Sequence, residues 1–237
     1  MSTQKMTQKW ALALVTGCVF AAPSQAATVS YFLNQSNALP DGINYLQVTI
    51  SDEGAPGSID FKVEVLQPLL DLAGDNFGIQ KFAFNILPGV DATASDVDAL
   101  PANWRARNAG RMSGFGLFDV RLQGRGSSRQ DPLTFSITGV TLDTILSYVD
   151  LSTGRSPEGR SLFAAHVAGF NLGNCGDTGE DDEGRRGPFK GREGGGQCVT
   201  SAYFGGSGNA VPAPPAVWLL ATGIAGLAVR RCRSAKA

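Results

Sequence analysis

Apolar and polar residues alternate one by one along several short stretches of this 237-residue chain. The stretches 46–50, 59–65 and 133–137 carry apolar side chains at every second position, with Gln, Thr, Asp, Lys, Glu or Ser between them. Because successive side chains of a β-strand point to opposite faces, this period of two predicts strands with one buried face and one solvated face.

Five further segments are also predicted to be strands, and turn-forming Pro, Gly, Asn and Asp residues separate most of them. These segments are 29–33, 77–86, 114–123, 162–170 and 199–204. About eight strands with one apolar face each need two sheets that cover one another. The sequence therefore predicts an all-β fold, a single β-sandwich with jelly-roll-like connections.

One segment, 140–149, has the period of a helix instead. Its apolar residues recur at the spacing of one helix face: Leu142, Ile145, Leu146 and Val149. This spacing predicts one short helix, with Thr141 as its N-cap.

Residues 1–26 have the three parts of a signal peptide. Two lysines, Lys5 and Lys9, precede an apolar stretch, and small residues precede Ala27, where cleavage is expected. Val15 to Cys18 also fit a lipobox, which would make Cys18 a lipidated N-terminus. The apolar run continues past that cysteine, which favours cleavage before Ala27 and an exported domain spanning 27–210.

The C-terminal segment 211–237 has three blocks in a fixed order. A proline cluster, which disfavours helix, is followed by the uncharged stretch 216–229 and then by a basic cluster. A helix over 216–229 spans roughly 21 Å, which is short for a hydrocarbon core about 30 Å thick. The residues that define the outer two blocks are Val211, Pro212, Pro214, Pro215, Arg230, Arg231 and Arg233.

This order of blocks resembles the PEP-CTERM sorting signal of Gram-negative bacteria. The resemblance covers about one ninth of the chain, and Ala213 stands where the family's Pro-Glu-Pro motif has glutamate. It implies processing near the prolines by an exosortase, a membrane-embedded transpeptidase-like enzyme. The protein would be held at the inner membrane by its tail and then passed to the cell surface or the extracellular matrix. An ordinary single-span anchor is the alternative reading of the tail.

The charge of the predicted exported domain argues against nucleic acid as a partner. All 21 Asp and Glu residues lie within 27–210, but only 14 of the 20 Lys and Arg residues do, which gives a net charge of −7. An acidic protein repels phosphate backbones and anionic membrane surfaces. It is compatible with an exterior rich in polysaccharide and cations.

A polar segment, 174–197, is rich in glycine and charged residues and is expected to be a mobile loop. Cys175 and Cys198 bracket it, and they are the two cysteines that remain once the signal peptide and the tail are removed. A single cysteine pair in an exported protein predicts a disulfide, and unpaired thiols are the alternative. The acidic run 177–183 lacks the spacing of a calcium loop, so no metal is predicted.

The sequence contains few patterns typical of catalytic residues, and no cofactor is predicted. The chain has one histidine, His166, which alternates with small apolar residues and is interpreted as a structural residue of a strand. A serine-nucleophile motif is absent from the sequence. Two carboxylate pairs could serve glycoside hydrolysis, although nothing in the sequence fixes their separation: Asp96 with Asp98, and Asp143 with Asp150.

Arginines crowd the region 105–129, and Trp104 lies beside them. In the predicted strand 114–123, Arg121 shares a face with Asp119 and Gln123, and Arg125 follows at the same parity. Such a basic strip with an aromatic residue could bind the carboxylates of an acidic polysaccharide by bidentate contacts and stack on its rings. The alternative is a solvated face whose arginines pair with nearby aspartates.

The sequence therefore predicts a non-catalytic structural protein of the cell surface or the exopolysaccharide matrix. Its expected partners are signal peptidase, an exosortase-like enzyme and the membrane, which it contacts through the tail. A carbohydrate-binding module for acidic polysaccharide, acting through Trp104, Arg121 and Arg125, is the first alternative. A glycoside hydrolase is the second.

Overall fold

The computed structural model describes residues 27–55, 57–171, 200–208 and 211–212. Twelve strands run through these described residues. They are β1 (Thr28–Leu33), β2 (Gln35–Ser36), β3 (Leu46–Ser51), β4 (Ser58–Val65), β5 (Ala73–Phe84), β6 (Val97–Asp98), β7 (Trp104–Met112), β8 (Gly116–Gly124), β9 (Leu133–Thr138), β10 (Phe163–Phe170), β11 (Ser201–Gly206) and β12 (Val211–Pro212). The same part of the chain contains one α-helix, α1 (Gln67–Leu70), and 3-10 turns at Ala94–Asp96 and Ile145–Tyr148.

The strands form two antiparallel sheets of six strands each. Sheet A has the order β12-β1-β3-β4-β9-β6, and sheet B has the order β2-β11-β10-β5-β8-β7. The pairs β3–β4, β7–β8 and β10–β11 are neighbours in the chain as well as in a sheet, whereas β4–β9 and β5–β10 join distant segments. The prediction of an all-β sandwich is confirmed.

The main core lies between the sheets, where the apolar positions of the alternating strands meet. In β3, Leu46, Val48 and Ile50 are fully buried. In β4, Phe61 stacks on Phe135 of β9 with ring centroids 4.7 Å apart, and its ring centroid lies 5.3 Å from that of Phe84 in sheet B. Burying one such side chain contributes about 1.5–3 kcal/mol, so these rings join the two sheets firmly.

A second, smaller cluster covers part of the opposite face of sheet B. Ala83 and Ala164 alternate along their strands with core residues, so they point away from sheet A. Met112, Phe115 and Phe118, from the turn between β7 and β8 and its flanks, pack on these two alanines and are themselves buried. Only the remainder of this outer face of sheet B is therefore open to a partner.

The strand β7 was not predicted from the sequence. It is the edge strand of sheet B, and most of its side chains are exposed, which leaves no alternation of apolar and polar residues to read. Trp104, Gly110 and Met112 are its buried residues. Ala109 has a φ of 55°, in the left-handed region, and its pair with Asp119 is missing from a β7–β8 register that is otherwise unshifted.

The predicted helix over 140–149 is wrong. The structure has only the 3-10 turn Ile145–Tyr148 there, and Thr144, not Thr141, caps it. Leu142, which the helical spacing assigned to the buried face, is 94% exposed with a φ of 60°. Ile145 and Tyr148 are buried instead. The segment lies against the sandwich only in part: Val140, Ile145, Ser147 and Tyr148 are buried, whereas Leu142 and Leu146 are exposed.

The first described residues and the last ones lie side by side. β12 pairs with β1 at the edge of sheet A, with Val29 opposite Pro212 and Ser30 opposite Val211. The opening Val-Pro of the predicted sorting tail is therefore extended and adjoins the first strand of the described domain.

Several predictions fall outside the described residues. They are the signal peptide 1–26 with Cys18, the loop 174–197 with its acidic run, the cysteines Cys175 and Cys198, Pro214 and Pro215, the apolar segment 216–229, and Arg230, Arg231 and Arg233. The strands on either side of 172–199 are an antiparallel pair, with Ala168 opposite Ser201. Within the part of the chain that the structure describes, no helix has the length and apolar character to cross a membrane.

Candidate functional site

The outer face of sheet B carries a polar row that crosses five strands. Tyr203, His166, Lys81, Gln123 and Arg105 are successive partners in the register of β11, β10, β5, β8 and β7. Because residues directly opposite one another in an antiparallel pair share a face, their side chains point the same way. The row brings together residues from four separate regions of the sequence.

A second row runs beside the first, and its two basic members lie directly opposite each other. Arg121 of β8 faces Arg107 of β7, and Arg121 also neighbours Ala83 of β5. We call the four cations Lys81, Arg105, Arg107 and Arg121 the basic face. Like charges in directly opposed positions destabilise a sheet, and an anion bound between them would relieve that repulsion.

The basic face has no carboxylate partner among the described residues. The ion pair found in this part of the chain joins Lys62 and Glu64 on sheet A. Asp119, on the same side of β8 as Arg121, accepts a hydrogen bond from the Ile86 backbone N–H at 3.0 Å. The expected alternative, in which arginines pair with nearby aspartates, is thus not seen within the described residues.

Trp104 is not on this face. It is 6% exposed and belongs to the main core, and its Nε1 donates a hydrogen bond to the Ser128 carbonyl at 2.7 Å. Its ring lies against Gly124, where an added Cβ would come within 2.6 Å of it. The alternation of β7 turns Trp104 inward and Arg105 outward, so this ring is not available for stacking on a sugar. Arg125 is exposed and follows β8 in the turn that Ser128 closes.

A cleft of about 570 Å³ adjoins the basic face at His166. We call it the His166 cleft, and its polar walls come from four segments: Asp75, Gln80, Arg129, His166, Asn171, Thr200 and Ser201. The register between β10 and β5 shifts after His166, which opposes Lys81, to Val167, which opposes Ile79. The bulge that results turns Gln80 toward the cleft.

Glycine lets the far wall of the cleft approach β10. Gly169 has a φ of 90°, and a Cβ there would lie 2.7 Å from the Asn76 carbonyl oxygen and 2.9 Å from Arg129 Nη1. Arg129 Nη1 donates a hydrogen bond to that same carbonyl at 2.6 Å. The missing side chain at Gly169 therefore makes room for the guanidinium.

The His166 ring is held by stacking and not by hydrogen bonds. It lies on the Tyr203 ring with centroids 4.4 Å apart, and Lys81 Nζ donates to the Tyr203 hydroxyl at 3.2 Å. Its Nδ1 is covered and has no hydrogen-bond partner in the structure. Burial, with smaller effects from the charges of Lys81 and Arg129, lowers the pKa of His166 to about 4. The ring is therefore neutral at pH 7.

We expect the stability of the protein to decrease through His166 as the solution becomes acidic. The folded pKa of about 4 lies below the ordinary 6.5, so the unfolded chain binds more protons between these values. The contribution is complete above pH 6.5 and is lost as the pH falls toward 4. It amounts to about 3 kcal/mol at most, and to less because the ring is partly exposed.

Urea unfolding at a series of pH values measures this effect when wild type is compared with His166→Gln, which cannot titrate. The carboxylates contribute equally to both proteins, so the difference between the two curves isolates the histidine. Parallel curves between pH 7 and 4 would contradict the assignment.

The four carboxylates of the two pairs suggested for hydrolysis all accept local hydrogen bonds. Asp96 ends a 3-10 turn and accepts hydrogen bonds from the Thr93 backbone and hydroxyl. Asp98 accepts from the Ala99 N–H at 2.7 Å. Asp143 accepts from the Tyr148 hydroxyl at 2.5 Å, and Asp150 accepts from the Leu151 N–H. Each carboxylate thus stabilises local backbone or a neighbouring side chain.

The sequence did not predict that four residues from separate segments lie together at this cleft: His166, Lys81, Tyr203 and Arg129. They are far apart in the chain and are brought together by the tertiary structure. The alternating pattern of 163–170 could have placed His166 on an outer face, but not beside the others. The described residues contain no group of three or more His, Cys, Asp or Glu side chains placed to hold a metal ion. No family model, curated protein or solved structure matches this chain.

Proposed function

We propose that this chain is an exported structural component of the cell surface or the extracellular matrix, processed by an exosortase-type system and without catalytic activity of its own. The proposal rests on the order of blocks in 211–237 and on the signal-peptide pattern of 1–26. Signal peptidase and an exosortase-like enzyme are its processing partners. The tail holds the protein at the membrane until that processing.

The placement of the first and last described residues supports this proposal. Val211 and Pro212 pair with β1 at one edge of sheet A, next to the start of the described domain. Removing both terminal segments would therefore leave the other strands of the sandwich, and the core between the sheets, as they are. The jelly-roll-like connectivity belongs to the same proposal, and the repeated passage of the chain between the two sheets is compatible with it.

Mass spectrometry of both termini of the protein, isolated from its native cell surface, tests this function. We expect a mature N-terminus at Ala27 and a C-terminus lacking the basic cluster. An epitope inserted after Val229 and still present in the mature protein would favour a permanent anchor, and an N-terminal Cys18 would indicate a lipoprotein. Cytosolic protein with both Met1 and Ala237 intact would refute export altogether.

The second proposed function is binding of an acidic polysaccharide on the basic face. The observation that favours it is the opposition of Arg107 and Arg121 on a sheet surface without carboxylate partners among the described residues. Guanidinium groups bind carboxylates through paired, charge-assisted hydrogen bonds. The domain is acidic as a whole, so a localised basic surface directs a polyanion to one place.

Replacing both arginines, Arg107→Gln with Arg121→Gln, is expected to weaken binding to polygalacturonate at least tenfold at low salt. Loss of two charge-assisted contacts at about 1.5 kcal/mol each accounts for a decrease of this size. Affinity electrophoresis in gels containing the polymer measures it at several salt concentrations.

The matched control is Arg155→Gln with Arg160→Gln, which removes the same charge from two exposed residues of the loop before β10. We expect it to retain most of the affinity, because neither residue belongs to the basic face and salt screens exposed charges. Equal losses in the two double variants would reduce the binding to non-specific electrostatics and overturn the assignment to this face. A neutral polymer should retard neither protein.

A further inference from the structure

Two cations, Arg129 and Lys81, and one acidic residue, Asp75, give the surroundings of the His166 cleft a net charge of +1. Arg129 forms one wall, Lys81 adjoins it through Tyr203, and Asp75 is its one acidic lining residue among those described. The guanidinium makes a hydrogen bond to the Asn76 carbonyl, its Nε has no acceptor, and no described carboxylate pairs with it. Such a site favours an occupant that carries one negative charge.

The remaining walls suit hydroxyl groups. Gln80 and Ser201 can donate or accept hydrogen bonds, and the Asp75 carboxylate can accept them. That carboxylate would also repel a second negative charge on the occupant. The volume of about 570 Å³ is within the range of about 300–1,000 Å³ typical of small-ligand clefts. A bare inorganic anion would leave most of these polar groups without a partner.

We propose that the His166 cleft binds a single uronate unit of an acidic polysaccharide, with the sugar carboxylate toward Arg129 and its hydroxyls toward Gln80, Asp75 and Ser201. This inference deepens the polysaccharide-binding function and rests on it, because the cleft adjoins the polar row at His166, directly beside Lys81 of the basic face. A chain lying along the basic face would enter the cleft with one sugar. The face supplies affinity for any polyanion, and the cleft supplies selectivity for the uronate.

His166 is a built-in reporter for this cleft, because the chain contains no other histidine. Four charged or titratable groups surround its ring: Lys81 on β5, Tyr203 on β11, Arg129 before β9 and Asp75 at the start of β5. A bound carboxylate would stabilise the imidazolium and so raise the pKa of His166 from about 4. Its ring signals in an NMR spectrum can be assigned without ambiguity.

The experiment titrates galacturonate into the full chain, kept in solution with a non-ionic detergent, while the His166 ring signals are followed. We expect a saturable change of their chemical shifts at pH 7 and a rise of the His166 pKa by about 0.5 or more. Galactose, the neutral sugar, should leave both unchanged. Sodium sulfate at equal ionic strength should change neither beyond the effect of salt.

Two variants extend the test. Arg129→Gln should abolish the galacturonate-induced shifts, and Gln80→Ala, which keeps the bond from Arg129 to the Asn76 carbonyl, should weaken binding at least threefold. The second variant preserves the test if the first does not fold. Arg155→Gln, at an exposed loop residue outside the cleft and the basic face, is the control and should leave the galacturonate response as in wild type.

The possible outcomes separate this inference from the function on which it rests. Unchanged His166 signals in a protein that polygalacturonate still retards would overturn the cleft assignment alone. Saturable shifts in a protein that the polymer does not retard would support galacturonate binding in the cleft and would refute polymer binding on the basic face. An equal response to sulfate would overturn the uronate specificity.

Discussion

Replacing Phe61 with alanine is expected to lower the free energy of unfolding by about 3–5 kcal/mol, the range typical of Phe truncations in cores. The ring is 2% exposed and lies among aromatic neighbours from both sheets. Its centroid lies 4.7 Å from that of Phe135, 5.3 Å from that of Phe84 and 5.9 Å from that of Tyr148. Phe84 and Phe135 are anchored in strands and Tyr148 in the 3-10 turn, so they cannot collapse into the cavity, and the cost includes that cavity.

Urea unfolding followed by tryptophan fluorescence measures this loss, and Leu142→Ala provides the control. Leu142 is 94% exposed, so its truncation should change stability by no more than about 0.5 kcal/mol. The comparison also tests the fold, because the helical spacing of 140–149 would have made Leu142 a core residue. A loss at Leu142 that equals the loss at Phe61 would contradict the structure.

The second large effect is expected for Gly205→Ala in β11, at about 2–3 kcal/mol of lost stability. A Cβ at this position would clash with Ser161 Oγ and with the Phe115 ring, whose Cε1 would be 2.5 Å away. Phe115 cannot yield easily, because it is fully buried with Met112 and Phe118. The clash would lift the turn between β7 and β8 from the outer face of sheet B.

Thermal unfolding of Gly205→Ala measures this effect, and Gly126→Ala is the matched control. The nearest atom to a Cβ at Gly126 is Gln80 Nε2 at 4.0 Å, so that substitution should be close to neutral. The galacturonate response of His166 in the folded Gly205→Ala protein adds a second readout, and it should be retained because the cleft lies on the other side of Tyr203. An unchanged melting temperature for Gly205→Ala would mean that Phe115 does not cover β11.

The strands that could be predicted from the sequence are those whose two faces meet different environments. In β4, Phe61 and Val63 are buried in the core, whereas Lys62 and Glu64 are on the solvated face. The sequence of β4 therefore alternates between apolar and polar residues with a period of two. β7 could not be predicted, because this edge strand buries few side chains and its sequence therefore shows little alternation of apolar and polar residues. The helix prediction for 140–149 was wrong because four apolar residues can match a helical spacing by chance.

Some residues of the candidate site could likewise be predicted from the sequence, whereas others could not. That Arg121 lies on an exposed sheet face followed from alternation alone, because Val120 and Leu122 had to be buried. Trp104 was wrongly placed with the arginines, since nearness in sequence does not tell which face of a strand a residue occupies. The His166 cleft could not be foreseen, because its walls come from β5, β10, β11 and the turn at Arg129, and two register shifts between β10 and β5 set their alignment.

The sequence by itself determined which side chains had to leave water, and hence the two-sheet architecture, because hydrophobic burial acts on each residue wherever it lies in the chain. Tertiary structure alone decided which strands became neighbours and in what register. Register places Lys81 beside His166 and Arg107 opposite Arg121, and it depends on long-range pairing that local pattern does not encode. The fold class thus follows from the pattern of apolar and polar residues within each strand, whereas the site depends on the register in which the strands pair.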